Sequence, residues 1–158
     1  MRKVFLDKTT ITECVSVFMK DAEVNWAGAT VYSMSVKHKN QEYQRFADEY
    51  DIHFIFDDNI PVLDFYTIPL VDIFATDSDG GYLGSVGEGI DLEGNVPICY
   101  IDKGRNCYLI APNSKEFFNN VVNWKKNMTL YENVEFFSSN TEAMKKYEFI
   151  SIDGCIGK

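Results

Sequence analysis

The chain has 158 residues, a net charge of −9 and a composition that is 46% hydrophobic and 15% aromatic, which predicts one globular domain with an aromatic-rich core. This composition excludes long disordered segments, and the negative charge disfavours binding to nucleic acids or anionic membranes. There is no apolar run of the length needed for a signal peptide or a transmembrane helix, and the four cysteines include no CxxC pair, so we expect a reduced, cytoplasmic protein.

The N-terminal third of the chain predicts two helices with a strand between them. Residues 10–13, Thr-Ile-Thr-Glu, have the form of a capping box, so we expect a helix that starts at Thr10 and ends before Asn25. Residues 29–36 alternate in part like a strand. Residues 41–51 then predict a second helix, whose aromatic stripe includes Tyr43, Phe46 and Tyr50.

Short strands dominate the middle of the chain. Runs rich in β-branched and aromatic residues, separated by turn residues, occupy positions 53–56, 62–65, 70–74, 82–86, 96–101 and 107–111. Residues 102–106 between the last two runs predict a hairpin connection, in which Gly104 and Asn106 tolerate a positive φ.

Two further capping boxes, at residues 113–116 and 139–142, predict helices, with a strand at residues 130–136 between them. The helix that begins near Asn113 would present Phe117, Phe118 and Trp124 to the core. Helices toward both ends and contiguous strands between them predict an α+β fold. We expect one domain over residues 1–158, with a mostly antiparallel central sheet and helices packed on it.

The charges are distributed unevenly. Residues 46–102 contain thirteen acidic residues and neither Lys nor Arg, so their field should attract basic surfaces. Several of these acids lie at or beside predicted turns, where we expect them to be exposed, together with two aromatic side chains that would anchor an interface. The predicted partner-binding residues are Asp57, Asp58, Tyr66, Asp77, Asp79, Tyr82, Glu88, Asp91 and Glu93. The alternative is a solvated acidic surface that only confers solubility.

Three stretches resemble the SMI1/KNR4 (SUKH) superfamily in their order along the chain. They are an apolar run that enters an acidic, Gly-rich turn and an aromatic strand (residues 70–84), the strand Val-Pro-Ile-Cys-Tyr-Ile-Asp (96–102), and Ile-Ala-Pro-Asn-Ser-Lys-Glu-Phe-Phe (110–118). The resemblance covers about residues 68–122. It implies a SUKH-like fold and a non-enzymatic binding role. Many bacterial members look like immunity proteins that neutralise a toxin, often a nuclease, and eukaryotic relatives act as scaffolds.

From this resemblance and the acidic middle of the chain we expect an immunity protein that binds a basic toxin domain. The alternative is an intracellular scaffold or ligand-binding module of the same fold. A hydrolase that pairs His53 with Cys99 or Cys107 is a weaker hypothesis, because both cysteines fall in apolar strand runs, where thiols are usually buried and inert.

No metal or organic cofactor is predicted. A calcium loop that starts at Asp77 would place Tyr82 where an EF-hand needs glycine, and its flanks resemble strands, whereas an EF-hand needs helices. The spacing of Gly84, Gly87 and Gly89 is not a dinucleotide fingerprint, because no βαβ pattern follows it. The sequence therefore predicts no enzymatic activity.

Overall fold

The computed structural model describes residues 2–11, 19–87 and 96–151. The strands are β1 (Arg2–Asp7), β2 (Ala22–Ala27), β3 (Ala29–Val31), β4 (His53–Phe54), β5 (Tyr66–Ile68), β6 (Val71–Thr76), β7 (Tyr82–Val86), β8 (Ile98–Ile101), β9 (Cys107–Ala111), β10 (Thr129–Leu130) and β11 (Glu135–Phe137). The α-helices are α1 (Gln41–Tyr50), α2 (Ser114–Asn119) and α3 (Asn140–Lys146), and Val36–His38 and Val121–Lys126 are 3-10 helices.

A seven-stranded sheet forms the centre of the described part of the chain. Its strand order is β10-β9-β8-β7-β6-β3, and β4 pairs with part of β6. All neighbours are antiparallel except β3 and β6, which run parallel. The α+β fold with a mostly antiparallel sheet is therefore confirmed.

The two faces of this sheet carry separate core clusters. One cluster contains Phe74, Tyr100, Phe117 and Trp124, and thus joins the sheet to α2 and the second 3-10 helix. The opposite cluster contains Ile73, Cys99 and other alternate strand residues. A register shift in β6 after Ile73 is a β-bulge, and it accompanies the placement of Phe74 and Ala75 in the same cluster.

Side chains cap the α-helices as local sequence chemistry dictates. The Asn113 side chain accepts the main-chain N–H of Glu116, and the Ser139 hydroxyl accepts that of Glu142, so the two predicted caps are confirmed. The Asn40 side chain caps α1 by accepting two main-chain N–H groups. None of the described helices combines the length and the apolarity needed to cross a bilayer.

The N-terminal part differs from the prediction. β1 and β2 form a parallel pair, and β2 begins at Ala22, where a helix was expected to continue toward Asn25. Most of the helix predicted from Thr10 lies outside the described residues. The sequence pattern does not predict β1, because its partner β2 lies later in the chain and local patterns do not encode such pairing.

Two other predicted strands are placed differently. Residues 62–65 are not a strand, and the neighbouring Tyr66–Ile68 pairs instead with β11. The strand expected over residues 130–136 is divided, because β10 pairs with β9 while β11 pairs with β5, so the chain changes sheets between them. In the β8–β9 hairpin the positive φ occurs at Arg105 (65°), not at Gly104 or Asn106.

Candidate functional site

The nine predicted partner-binding residues do not form one surface. Asp57, Asp58 and Asp79 are exposed, Tyr82 is half-buried, and Tyr66 and Asp77 are buried. The three remaining residues, Glu88, Asp91 and Glu93, lie outside the described residues.

Asp77 organises the turn between β6 and β7. Its side chain is 8% exposed, and Oδ1 accepts the main-chain N–H groups of Gly81 (2.8 Å) and Asp79 (3.1 Å), while Oδ2 accepts the Tyr100 hydroxyl (2.7 Å). Burial, together with the hydrogen bond to Asp77 and its charge, raises the pKa of Tyr100. The predicted exposure of Asp77 is wrong, because the tight turn folds its carboxylate inward to satisfy these donors.

Tyr66 belongs to a buried network. It is 4% exposed, and its hydroxyl donates to Asp7 Oδ1 (3.1 Å), which also accepts from the Thr9 hydroxyl (2.5 Å). Asp7 Oδ2 accepts from the Asn140 side chain (3.0 Å). Burial raises the pKa of Tyr66, and the negative charge of Asp7 raises it further. The expected exposure of Tyr66 is therefore wrong, since the side chain lies in a core cluster and its hydroxyl joins β5 to β1 and α3 through this network.

A second polar network surrounds Asp51, at the C-terminal end of α1. Its carboxylate accepts from Ser78 Oγ (2.7 Å) and Lys125 Nζ (2.7 Å), and lies 2.9 Å from His53 Nε2. Burial alone would raise the pKa of Asp51, but the hydrogen bonds from Lys125, Ser78 and His53 outweigh it and hold that pKa well below its usual value.

This network brings Ser, His and Asp together without the geometry of a catalytic triad. In a triad the histidine accepts the serine proton, whereas Ser78 donates to Asp51. Carboxylate oxygens of Asp51, Asp77 and Asp79 also lie within 4.8 Å of one another, as in a cation site. Lys125 Nζ, 2.7 Å from Asp51 and 3.9 Å from Asp79, supplies positive charge at this cluster. We interpret the network as a link between α1, the β6–β7 turn and the second 3-10 helix.

The described cysteines have the surroundings of inert thiols. Cys99 and Cys107 are buried in one core cluster. A hydrogen bond with Cys107 and complete burial raise the pKa of the Cys99 thiol, which disfavours the reactive thiolate. His53 is exposed on β4 and holds Asp51, so nothing in this arrangement supports the hypothesis of a Cys–His hydrolase.

In residues 57–64, which we call the acidic–apolar segment, Asp57 and Asp58 are exposed as predicted. Asp57, Asp58 and Asp64 are exposed carboxylates. Between them Val62 is 91% exposed and Ile60 is 50% exposed. Large aliphatic side chains this exposed stabilise the folded chain little, but they are the groups that an interface buries.

Basic residues from outside the acidic region neutralise part of the acidic–apolar segment. Lys39 Nζ lies 2.6 Å from Asp58 and lowers its pKa, and Arg105 pairs with Asp64 and stacks on Phe65. Asp57 accepts from the Ser33 hydroxyl (2.5 Å). The sequence shows where the acidic residues lie along the chain, but only the fold shows which basic side chains pair with them.

An aromatic cavity of about 490 Å³ lies between α1, α2 and the central sheet. Its wall includes five phenylalanines whose rings contact one another in a closed cycle with centroid distances of 5.1 to 6.1 Å: Phe46, Phe54, Phe74, Phe117 and Phe118. Tyr32, Met34 and Tyr43 extend the wall, and the hydroxyl-bearing Ser85 and Ser114 also line the cavity.

The cavity was not predicted from the sequence. The aromatic stripe of α1 and the Phe pair of α2 were both identified as core residues. That these rings meet around a space depends on how the two helices sit on the sheet. The aromatic cavity and the acidic–apolar segment are the two candidate sites. Met34 lines the cavity, and its main-chain carbonyl accepts the N–H of Asp57 (2.9 Å), so the two sites are neighbours.

Comparisons with known proteins give no relative: no protein-family model, no curated protein and no solved structure matches the chain.

Proposed function

We propose that this protein is a non-enzymatic protein-binding domain that acts in the cytoplasm as an immunity protein. Its partner would be a basic toxin domain, which it neutralises by binding. The observation that carries the proposal is the acidic–apolar segment, which presents three exposed carboxylates beside two exposed aliphatic side chains. The resemblance to the SUKH superfamily supports the immunity role.

The segment combines the two contributions that a specific interface needs. Val62 and Ile60 offer apolar surface whose burial favours binding. Asp57, Asp58 and Asp64 offer negative charge that accelerates encounter with a basic partner. Their bonds to Lys39, Arg105 and Ser33 are exposed, and exposed ion pairs stabilise a fold little, so a partner's Lys or Arg can replace those donors at low cost.

The segment is also held in place. Its first residues are joined to residues 33–34, because Asp57 N–H donates to the Met34 carbonyl (2.9 Å). At its other end, Phe65 is buried and packs against Tyr82 with ring centroids 5.7 Å apart. A segment anchored at both ends loses less conformational entropy when it binds.

An intracellular scaffold or ligand-binding module of the same fold is the second candidate. It would use the same segment to bind an endogenous protein. The two candidates differ in the partner, because an immunity protein must relieve the toxicity of the protein that it binds.

The test compares capture by the wild type with capture by charge-reversed variants. The variant Asp57→Lys/Asp58→Lys should lose a basic partner that the wild type retains from extracts of its source cell. The matched control Asp48→Lys/Glu132→Lys changes the net charge equally at exposed sites outside the segment and should retain the partner. Equal capture by both variants would reject the acidic–apolar segment as the interface.

The immunity role has its own experiment. The captured protein is expressed alone and together with the wild type or the Asp57→Lys/Asp58→Lys variant. We expect arrested growth in the first case, rescue by the wild type and no rescue by the variant. A captured protein that is not toxic would favour the scaffold.

A further inference from the structure

We infer that the aromatic cavity is a second binding site, for a small uncharged aromatic molecule that carries one hydrogen-bonding group. This ligand site is separate from the acidic–apolar segment and does not depend on the proposed protein partner.

The size of the cavity falls within the range of ligand sites. The cavity is partly open to solvent, since Tyr32 on its wall is 46% exposed, and it measures about 490 Å³. Binding sites for small molecules have volumes of roughly 300 to 1,000 Å³ and are mostly apolar. The cavity therefore fits a compact organic molecule.

The wall favours an aromatic ligand. The five phenylalanine rings of the closed cycle each contact two others, so their orientations are fixed before a ligand enters. A flat aromatic ring can make edge-to-face and offset contacts with several of them, and these contacts add to the burial of apolar surface. A flexible aliphatic chain gains the burial alone and loses more conformational freedom on binding.

The absence of charged side chains on the described part of its wall disfavours ions in the cavity. None of the described residues that line it carries a charge, so a buried anion or cation would lose its hydration without an opposing charge. Cation–π attraction, about 2 kcal/mol at a desolvated ring, does not replace the hydration of a small ammonium ion. Two basic residues on and before α1 are already paired with acids, Arg45 with Glu42 and Glu49, and Lys39 with Asp58.

Two serines that line the cavity offer hydroxyls to a polar group on the ligand. Ser85 on β7 is 2% exposed and Ser114 at the start of α2 is 3% exposed, and both line the cavity. A hydroxyl can donate one hydrogen bond and accept two, so one hydroxyl can have more than one partner. A hydroxyl or carbonyl group on the ligand satisfies this chemistry.

The experiment uses 2-naphthol as the probe and measures its binding by calorimetry at neutral pH. We compare it with naphthalene, which lacks the hydroxyl, with naphthalene-2-sulfonate, which is charged, and with 1-octanol, which is aliphatic. We expect 2-naphthol to bind most tightly and the sulfonate to bind at least about tenfold more weakly. Absence of 2-naphthol binding, or equal binding of the sulfonate or of octanol, would overturn the inference.

Variants test the location. Val96 lines the cavity, so Val96→Trp should abolish binding of 2-naphthol, while the matched control Val62→Trp on the acidic–apolar segment should leave it unchanged. The milder Ser85→Ala should weaken 2-naphthol by about threefold to tenfold, the effect of one hydrogen bond, without weakening naphthalene. Near-ultraviolet circular dichroism verifies that each variant is folded. If Val96→Trp does not fold, the result for Ser85→Ala tests the location of the site. Retained 2-naphthol binding in folded Val96→Trp would place the site elsewhere.

A protein side chain is the competing occupant. The blocked tripeptide acetyl-Gly-Tyr-Gly-amide offers the phenol of tyrosine on a peptide. If this tripeptide binds more tightly than 2-naphthol and competes with it, the cavity accepts a partner's side chain and the small-molecule assignment is wrong. Because Val62→Trp alters the proposed protein interface and Val96→Trp alters the cavity, failure of one proposal leaves the other testable.

Discussion

The indole N–H of Trp124 donates a hydrogen bond of 2.7 Å to the main-chain carbonyl of Tyr50. The two residues are 74 positions apart in the chain, and the bond joins the second 3-10 helix to the last residue of α1. It satisfies a carbonyl at the C-terminal end of the helix that has no partner within α1. The Trp124 ring also packs on Tyr100, with centroids 5.5 Å apart.

Replacement of Trp124 should therefore affect stability in two steps. Trp124→Phe keeps an aromatic ring but removes the donor to Tyr50, which we expect to cost about 1 to 3 kcal/mol of unfolding free energy. Trp124→Ala also removes the buried ring and should cost about 3 to 5 kcal/mol. Urea denaturation measures both, with the exposed Val122→Ala as the control, which should change stability by less than about 0.5 kcal/mol. Equal stability of Trp124→Phe and wild type would show that the hydrogen bond contributes nothing.

The two adjacent glycines of the β6–β7 turn should respond differently to alanine. A Cβ at Gly81 would lie 2.1 Å from the Tyr100 hydroxyl oxygen, so Gly81→Ala must displace the ring from Asp77, and we expect a cost of about 3 kcal/mol or more. Gly80 has φ +84° but its Cβ would meet nothing closer than 3.8 Å. Gly80→Ala should cost only the backbone strain, about 1 to 2 kcal/mol. Thermal and urea unfolding compare the two, and a larger loss in Gly80→Ala would contradict the described turn.

Asp51 should make stability depend on acid pH. Because its pKa is lower in the folded chain than the ordinary value of 3.8, the carboxylate stabilises the fold above that value, and the contribution is lost as the pH falls below about 4. Asp51→Asn should thus be less stable than wild type from pH 5 to pH 8, and the difference should narrow as the pH falls from 4 to 2. The measurement is the unfolding free energy of both proteins across this range. A difference that stays constant with pH would show that the ionised form has no special role.

Tyr66 should behave as a structural residue and not as an interface residue. Tyr66→Phe removes one donor from the buried carboxylate of Asp7, and we expect a loss of about 1 to 3 kcal/mol. Tyr32→Phe changes an exposed tyrosine in the same way and should leave the unfolding free energy within about 0.5 kcal/mol of wild type. If both variants are as stable as the wild type, the network around Asp7 is not a source of stability.

The features that local sequence predicts are those whose partners lie within a few residues. The caps by Asn113 and Ser139 each use a main-chain N–H three residues ahead, and the β8–β9 hairpin joins strands that are neighbours in the chain. Asp77 shows the limit of this reasoning. Its place beside a turn predicted exposure, but the Tyr100 hydroxyl that covers it comes from a strand 23 residues later.

The sites depend even more on tertiary structure. The sequence identifies an acidic region, but Lys39 and Arg105, which neutralise Asp58 and Asp64, come from outside it. The aromatic cavity requires rings from two helices and two strands to meet around a space. The sequence of no single element predicts that space. Apolar periodicity marks such residues as buried, but it does not distinguish a filled core from a cavity.

The bond between Asn140 and Asp7, which are 133 positions apart, has a consequence for synthesis of the chain on the ribosome. β1 also exchanges main-chain hydrogen bonds with residues near the other end, because Phe5 N–H donates to the Glu148 carbonyl and the Ile150 N–H donates to the Phe5 carbonyl. Hairpins such as β6–β7 and β8–β9 can pair as soon as they emerge, since their strands are close in sequence. β1 completes these hydrogen bonds only after residue 150 has left the exit tunnel. Until then the carboxylate of Asp7 has no Asn140 to bind, and β1 lacks its main-chain bonds to residues 148 and 150.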